Sequence, residues 1–246
     1  MNYLMYFILF LSVIISGTSV LFINISSKNL KLLLSFSGAF LFAISVLHLI
    51  PEIYLSGTPD IGIYILIGFF AQILLEFFSE GIEHGHIHVH KHDDHHTAFP
   101  YAMMIGLSIH SFLEGIPLGN QYAGHILEAH HHHGHSENSL LFGILFHQLP
   151  VAVALMTLLI STNITKLKAW SILMLFAIMT PAGLVLGLNS SEISSFVDFN
   201  MILAIVVGMF LHISTTIIFE TSENHKFNIL KLTSIIIGCS LAFFMN

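Results

Sequence analysis

The chain has 246 residues, of which 55% are apolar and only 9% charged, with a formal net charge of −7 and 18 histidines. A soluble domain carries about 25% charged residues, so this composition excludes an ordinary soluble fold and assigns the chain to the lipid bilayer. The one cysteine, Cys239, excludes a disulfide framework and a thiolate cluster, which leaves nitrogen and oxygen as the donors for any metal.

In chain order, apolar runs between polar breaks give eight predicted spans: 3–23, 30–50, 61–82, 99–119, 139–161, 168–188, 199–219 and 228–245. A run of about 18 residues or more can cross a hydrocarbon core of ~30 Å. The first run reads as a retained span, because its first basic residue, Lys28, follows the apolar stretch instead of preceding it. The breaks carry loop chemistry, as in Ser26-Ser27-Lys28-Asn29, Ser56-Gly57-Thr58-Pro59-Asp60 and Asn189-Ser190-Ser191-Glu192.

Every basic residue is a lysine, and the lysines segregate. Lys28 and Lys31 follow span one, Lys91 follows span three, Lys166 and Lys168 follow span five, and Lys226 and Lys231 follow span seven. The loops after spans two, four and six contain none, so the positive-inside rule puts the odd loops in the cytoplasm and both termini outside. A miscount by one span would scramble this pattern. The expected fold class is therefore an all-α integral membrane protein, an eight-helix transmembrane bundle with both termini extracytoplasmic, multi-pass in a cell membrane. Spans two and seven share a short likeness, Gly38-Ala39-Phe40-Leu41 with a later Glu52 and Gly208-Met209-Phe210-Leu211 with a later Glu220. They run in opposite directions, as an inverted repeat would require.

An ionisable group at the bilayer centre costs about 2.5–3.5 kcal/mol on insertion scales, so each one is a functional candidate. Span four contains Ile109-His110-Ser111-Phe112-Leu113-Glu114-Gly115, with His110 and Glu114 four residues apart on one helix face. An imidazole and a carboxylate converging from one face are ligands for first-row metals, and Ser111 could add an oxygen. Span five adds His147 in Phe146-His147-Gln148-Leu149-Pro150, where Pro150 should loosen the backbone. A buried hydrogen-bonded pair would account for His110 and Glu114 alone, but four polar residues on adjacent spans favour a metal site. The expected site is a metal on His110, Glu114 and His147, with Ser111 as a further oxygen. His48 and Glu52 near the outer end, and His212, Glu76, Glu80 and Glu220 toward the cytoplasmic end, form expected secondary sites along the path.

Two tracts hold most of the histidines. His84, His86, His88, His90, His92, His95 and His96 lie in the predicted cytoplasmic loop 83–98, and His125, His130, His131, His132, His133 and His135 in the predicted extracytoplasmic loop 120–138. Such tracts bind borderline metals and suit capture or buffering. Imidazole binds metal only when neutral and titrates near pH ~6.5, so both should lose affinity in mild acid.

Taken together, the chain resembles the ZIP (Zrt/Irt-like) metal transporters over nearly its full length. The shared features are eight spans, outward termini, a histidine-rich loop after span three, and the span-four motif His-Ser/Asn-x-x-Glu/Asp-Gly, here His110-Ser111-Phe112-Leu113-Glu114-Gly115. The span-two ending His48-Leu49-Ile50-Pro51-Glu52 is similar too. The resemblance implies a metal site in the transport path between spans four and five, on His110, Ser111, Glu114 and His147. It departs in span five, where the family commonly has His-Glu-x-x-His-Glu and this chain has His147-Gln148-Leu149-Pro150-Val151-Ala152, which puts a binuclear centre in doubt and leads to the expectation of a single central metal on His110, Glu114 and His147, with Gln148 or Ser111 as the fourth oxygen.

The expected activity is transport of a divalent metal toward the cytoplasm, with Zn2+ as the substrate and Fe2+, Mn2+, Co2+, Ni2+ and Cd2+ as further candidates. The expected partners are the metal and the bilayer, with a homodimer as the candidate assembly and no nucleic acid. Two alternatives share these ligands. A metal exporter of the cation diffusion type would have six spans, cytoplasmic termini and a soluble terminal domain. A membrane-embedded zinc hydrolase would use them catalytically, but the His-Glu-x-x-His signature is absent.

Overall fold

The computed structural model describes residues 2–23, 25–79, 101–127, 138–162, 164–189, 198–219 and 229–245. Among these residues the fold is all-helical: α1 (Asn2–Ser19), α2 (Ser27–Leu55), α3 (Ile61–Ser79), α4 (Tyr101–Leu127), α5 (Ser139–Ser161), α6 (Lys166–Leu188), α7 (Phe199–Phe219) and α8 (Ile229–Phe243). Each helix coincides with one predicted span. Five of them, α2, α3, α5, α6 and α7, are long and apolar enough to cross a membrane, and α1 and α8 contain shorter apolar helices. Helix α4 is outside this group because His110, Ser111, Glu114, Asn120 and Gln121 lower its hydropathy.

Two boundaries differ from the sequence reading. Span two was expected to end at residue 50, before Pro51, but the helix continues to Leu55 through a π turn at Ser45–Leu49. Proline lacks an N–H and its ring collides with the carbonyl four residues back. The wider turn, in which the Ile50 N–H reaches the Ser45 carbonyl, accommodates it and lets the helix go on. Span four was expected to end at 119, yet α4 runs to Leu127 and takes up residues 120–127, including His125, that had been assigned to a loop. The hydropathy falls there, but the backbone stays helical and is held from the side. Gln121 donates to Glu52 Oε1 at 3.1 Å, and the Tyr122 hydroxyl donates to Asn138 at 3.1 Å.

The buried apolar residues form two cores stacked along the bundle. One draws on the C-terminal parts of α1, α5 and α7 and the N-terminal parts of α2, α4 and α6, with Val13, Leu34, Leu107, Val151, Phe176 and Ile213 among its members. The other takes the opposite ends, with Leu9, Phe40, Leu118, Ile144, Leu184 and Phe210. The helices therefore alternate in direction. Among the described residues, all lysines (Lys28, Lys31, Lys166, Lys168 and Lys231) lie near the N-termini of α2, α6 and α8, at the first core's end. For these five lysines the charge segregation read from the sequence is thus one physical end of the bundle.

Close packing comes from glycine. A side-chain carbon on Gly115 of α4 would overlap the Thr180 carbonyl of α6, and one on Gly183 would overlap the Phe112 carbonyl. Gly119 and Gly187 repeat this one turn on, so a Gly-x-x-x-Gly face on each helix meets its counterpart backbone to backbone. Gly68 of α3 and Gly208 of α7 make the same kind of crossing. Helix α8 packs on α2 through Gly238, which faces Ala39 and the Phe36 carbonyl. The pairings α2 with α8 and α7 with α3 exchange under the reversal an inverted repeat needs. The contact residues are Ala39 in α2 and Gly208 in α7, so the packing and the four-letter likeness are one residue out of step.

The α4–α6 crossing makes a direct prediction. Gly115→Leu or Gly183→Leu should destabilise the detergent-solubilised protein by about 1–3 kcal/mol, the usual cost of overpacking, read as a lower thermal midpoint. Gly124→Leu on the same helix has open space and should leave the midpoint nearly unchanged.

Candidate metal centre

Helix α4 presents a buried stripe of Met103, Leu107, His110, Ser111, Glu114 and Leu118, in which polar residues occupy positions that repeat as core positions. Leu107 belongs to one apolar core and Leu118 to the other, so His110 and Glu114 lie between them. The same holds on α5, where His147 and Gln148 fall between Ile144 and Val151, and on α6, where Thr180 falls between Ala177 and Leu184. A polar layer is thus closed above and below by apolar side chains.

Within that layer His110, Glu114 and His147 each offer one ligand atom, and these atoms all lie within 4.8 Å of one another. Exposure is 1% for His110, 0% for Glu114 and 1% for His147. The His110 and His147 rings stand edge to face with centroids 5.8 Å apart. His110 Nε2 lies 2.6 Å from Glu114 Oε1. Two imidazoles and one carboxylate make a three-ligand set of the kind that leaves a fourth position open on zinc, whose bonds to such atoms are ~2.0–2.2 Å. An ion of this size would draw the three groups in slightly and replace the His110–Glu114 contact with bonds to itself.

Helix α5 is held from its neighbours at this level. Phe146, which precedes His147, meets Phe40 edge to face at 4.9 Å and Phe36 at 5.8 Å. Pro150 supplies no N–H, which removes the helical donor of the Phe146 carbonyl, yet α5 continues unbroken through it. Ser16 of α1 donates to the Leu149 carbonyl at 2.6 Å and steadies the same turn.

The other predicted ligands divide. Ser111 is buried next to His110, about 100° further round the helix. Gln148 reaches the cluster through its amide nitrogen, which donates to Glu114 Oε2 at 3.4 Å and also contacts the Thr180 hydroxyl. His48, in the π turn of α2, lies apart from the cluster, with Nε2 3.2 Å from the Ala242 carbonyl of α8. Glu52 meets Gln121 near the ends of α2 and α4. Glu76 of α3 and His212 of α7 contact each other directly beside the edge of Phe69, at the Gly68–Gly208 crossing. Glu80, Glu220, the whole first histidine tract and His130, His131, His132, His133 and His135 lie outside the described residues, and His125 sits on the last turn of α4.

Thr180 was not anticipated. A threonine inside an apolar helix can satisfy its hydroxyl on its own backbone and so gives little signal. Its one cue was position, immediately before Pro181 in mid-helix. A match to the family model described as ZIP Zinc transporter covers residues 97–246, which include His110, Glu114, His147, Gln148 and Thr180.

Zinc bound at the cluster should stabilise the fold. At a hundredfold excess over the dissociation constant, binding adds ~2.7 kcal/mol. The expected rise in thermal midpoint on adding zinc should be largely lost in Glu114→Gln, and an undiminished rise would exclude Glu114 as a ligand.

Proposed function

The chain belongs to the ZIP zinc transporter family, and from that membership we propose that it carries one zinc ion at a time toward the cytoplasm through His110, Glu114 and His147. Divalent metal transport is the activity of this family, which sets aside the hydrolase and the cation-diffusion exporter. The observation that carries the site is the convergence of three buried ligand atoms from α4 and α5 between two apolar cores. A carboxylate at 0% exposure beside two imidazoles is a setting that suits a visiting cation.

The direction rests on the lysine-bearing end of the bundle being cytoplasmic. The ligands are sealed from both ends by apolar side chains, so a passing ion requires that helices move to open one side at a time. His48, Glu52, Glu76 and His212 act as weaker polar stations outside this layer, and the histidine tracts concentrate metal at the two faces. Zinc is the first choice because two imidazoles and a carboxylate suit its borderline character, although iron(II), cobalt and nickel accept the same donors.

Zinc uptake by cells expressing the protein, titrated against external zinc, tests the site. His110→Ala or Glu114→Ala should lower uptake by about tenfold or more, in line with ~10–100-fold effects for residues around a metal, and unchanged uptake would reject it. Deleting residues 130–135 should raise the half-saturating zinc concentration more than it lowers the maximal rate. A total loss of transport on that deletion would contradict a buffering role.

A further inference from the structure

Glu114 has two oxygens, and the fold treats them differently. Oε1 faces His110 Nε2 at 2.6 Å, and Oε2 faces Gln148 Nε2 at 3.4 Å. The same amide nitrogen contacts the Thr180 hydroxyl of α6. Glu114, Gln148 and Thr180 are each at most 2% exposed. We propose that Gln148 and Thr180 form a neutral bracket that reserves one oxygen of Glu114, so that the carboxylate gives its other oxygen to a single metal and no second ion can share it. This rests on the metal-site reading above and adds two residues that shape the site without touching the metal.

The direction of the amide follows from its neighbours. An ionised carboxylate only accepts hydrogen bonds, so the side of Gln148 turned toward it is the NH2 group. That group has two hydrogens, and two acceptors stand before it, Glu114 Oε2 and Thr180 Oγ1. A second ion bridging Glu114 would have to sit beside Oε2, where the structure puts N–H hydrogens. These carry partial positive charge and have no lone pair to give.

Charge leads to the same result. Two dications in this layer would face Glu114 as the only anion among Glu114, His110, His147, Gln148 and Thr180, inside an apolar surround where uncompensated charge is costly. Thr180 has no freedom to withdraw, because the Gly115–Gly183 crossing presses its backbone against α4. The bracket is therefore as rigid as the helix pair that carries it.

The test uses the full chain, purified and then reconstituted into liposomes. Gln148→Glu replaces the donor by a second carboxylate of the same length. It should bind one more zinc per chain than the parent protein, by elemental analysis after desalting, and Glu114→Gln in the same chain should abolish that gain. Unchanged zinc content in a folded Gln148→Glu protein would overturn the bracket. His110→Ala separates this from the underlying site: if it lowers zinc content while Gln148→Glu adds nothing, the metal site stands and the bracket falls. If His110→Ala changes nothing, the site reading fails first.

Thr180→Val gives an independent measure should Gln148→Glu not fold. Freeing the amide loosens Glu114, and the half-saturating zinc concentration for uptake should rise about tenfold, at the low end of effects for groups that orient ligands, with little change in maximal rate. Rescue by Thr180→Ser, which restores the hydroxyl, is expected. An unchanged half-saturating concentration in Thr180→Val, or a rise that Thr180→Ser does not reverse, would overturn the proposal.

Discussion

A carboxylate buried in the middle of an apolar bundle has to be compensated, and the rest of this fold follows from how Glu114 is compensated. An isolated charge at that depth is expensive, and apolar neighbours offer nothing in return. The protein surrounds Glu114 with two imidazoles and one amide, His110 from the preceding turn of α4 and His147 and Gln148 from a single turn of α5. None of these residues carries a permanent charge. In the proposed site a bound cation would complete the compensation.

Compensation from neutral groups works only at short range, and short range requires helices that approach closely. In lipid there is no hydrophobic drive to press helices together, so backbone contact through small residues does it. The reciprocal glycines of α4 and α6 bring the Thr180 segment against Gly115, one residue from Glu114. The chemistry of the site and the packing of the bundle are therefore the same feature. A bulkier residue at Gly115 would shift Thr180, then Gln148, then the second oxygen of Glu114.

Much of this was legible in the sequence because the bilayer simplifies the code. Long apolar runs mark helices, lysine segregation marks one end, and His110 with Glu114 at a four-residue spacing marks a shared face. What escaped detection was of two kinds. Polar helix ends such as Asn120 to Leu127 look like loop by hydropathy, although backbone hydrogen bonding and contacts such as Gln121 with Glu52 keep them helical. Partnerships across helices leave no periodic trace either. Gln148 reads as an oxygen ligand beside His147, and only Glu114 across from it, an acceptor alone when ionised, turns the amide nitrogen inward.

A transporter must hold its ion firmly enough to select it and weakly enough to release it. In the proposed site, one carboxylate and two neutral imidazoles would leave a bound dication with one positive charge uncompensated. A second carboxylate in the layer would neutralise that charge and deepen the well. In the proposed site, Gln148 in place of an acid would thus keep the centre shallow, and a shallow centre suits an ion that must leave on the other side.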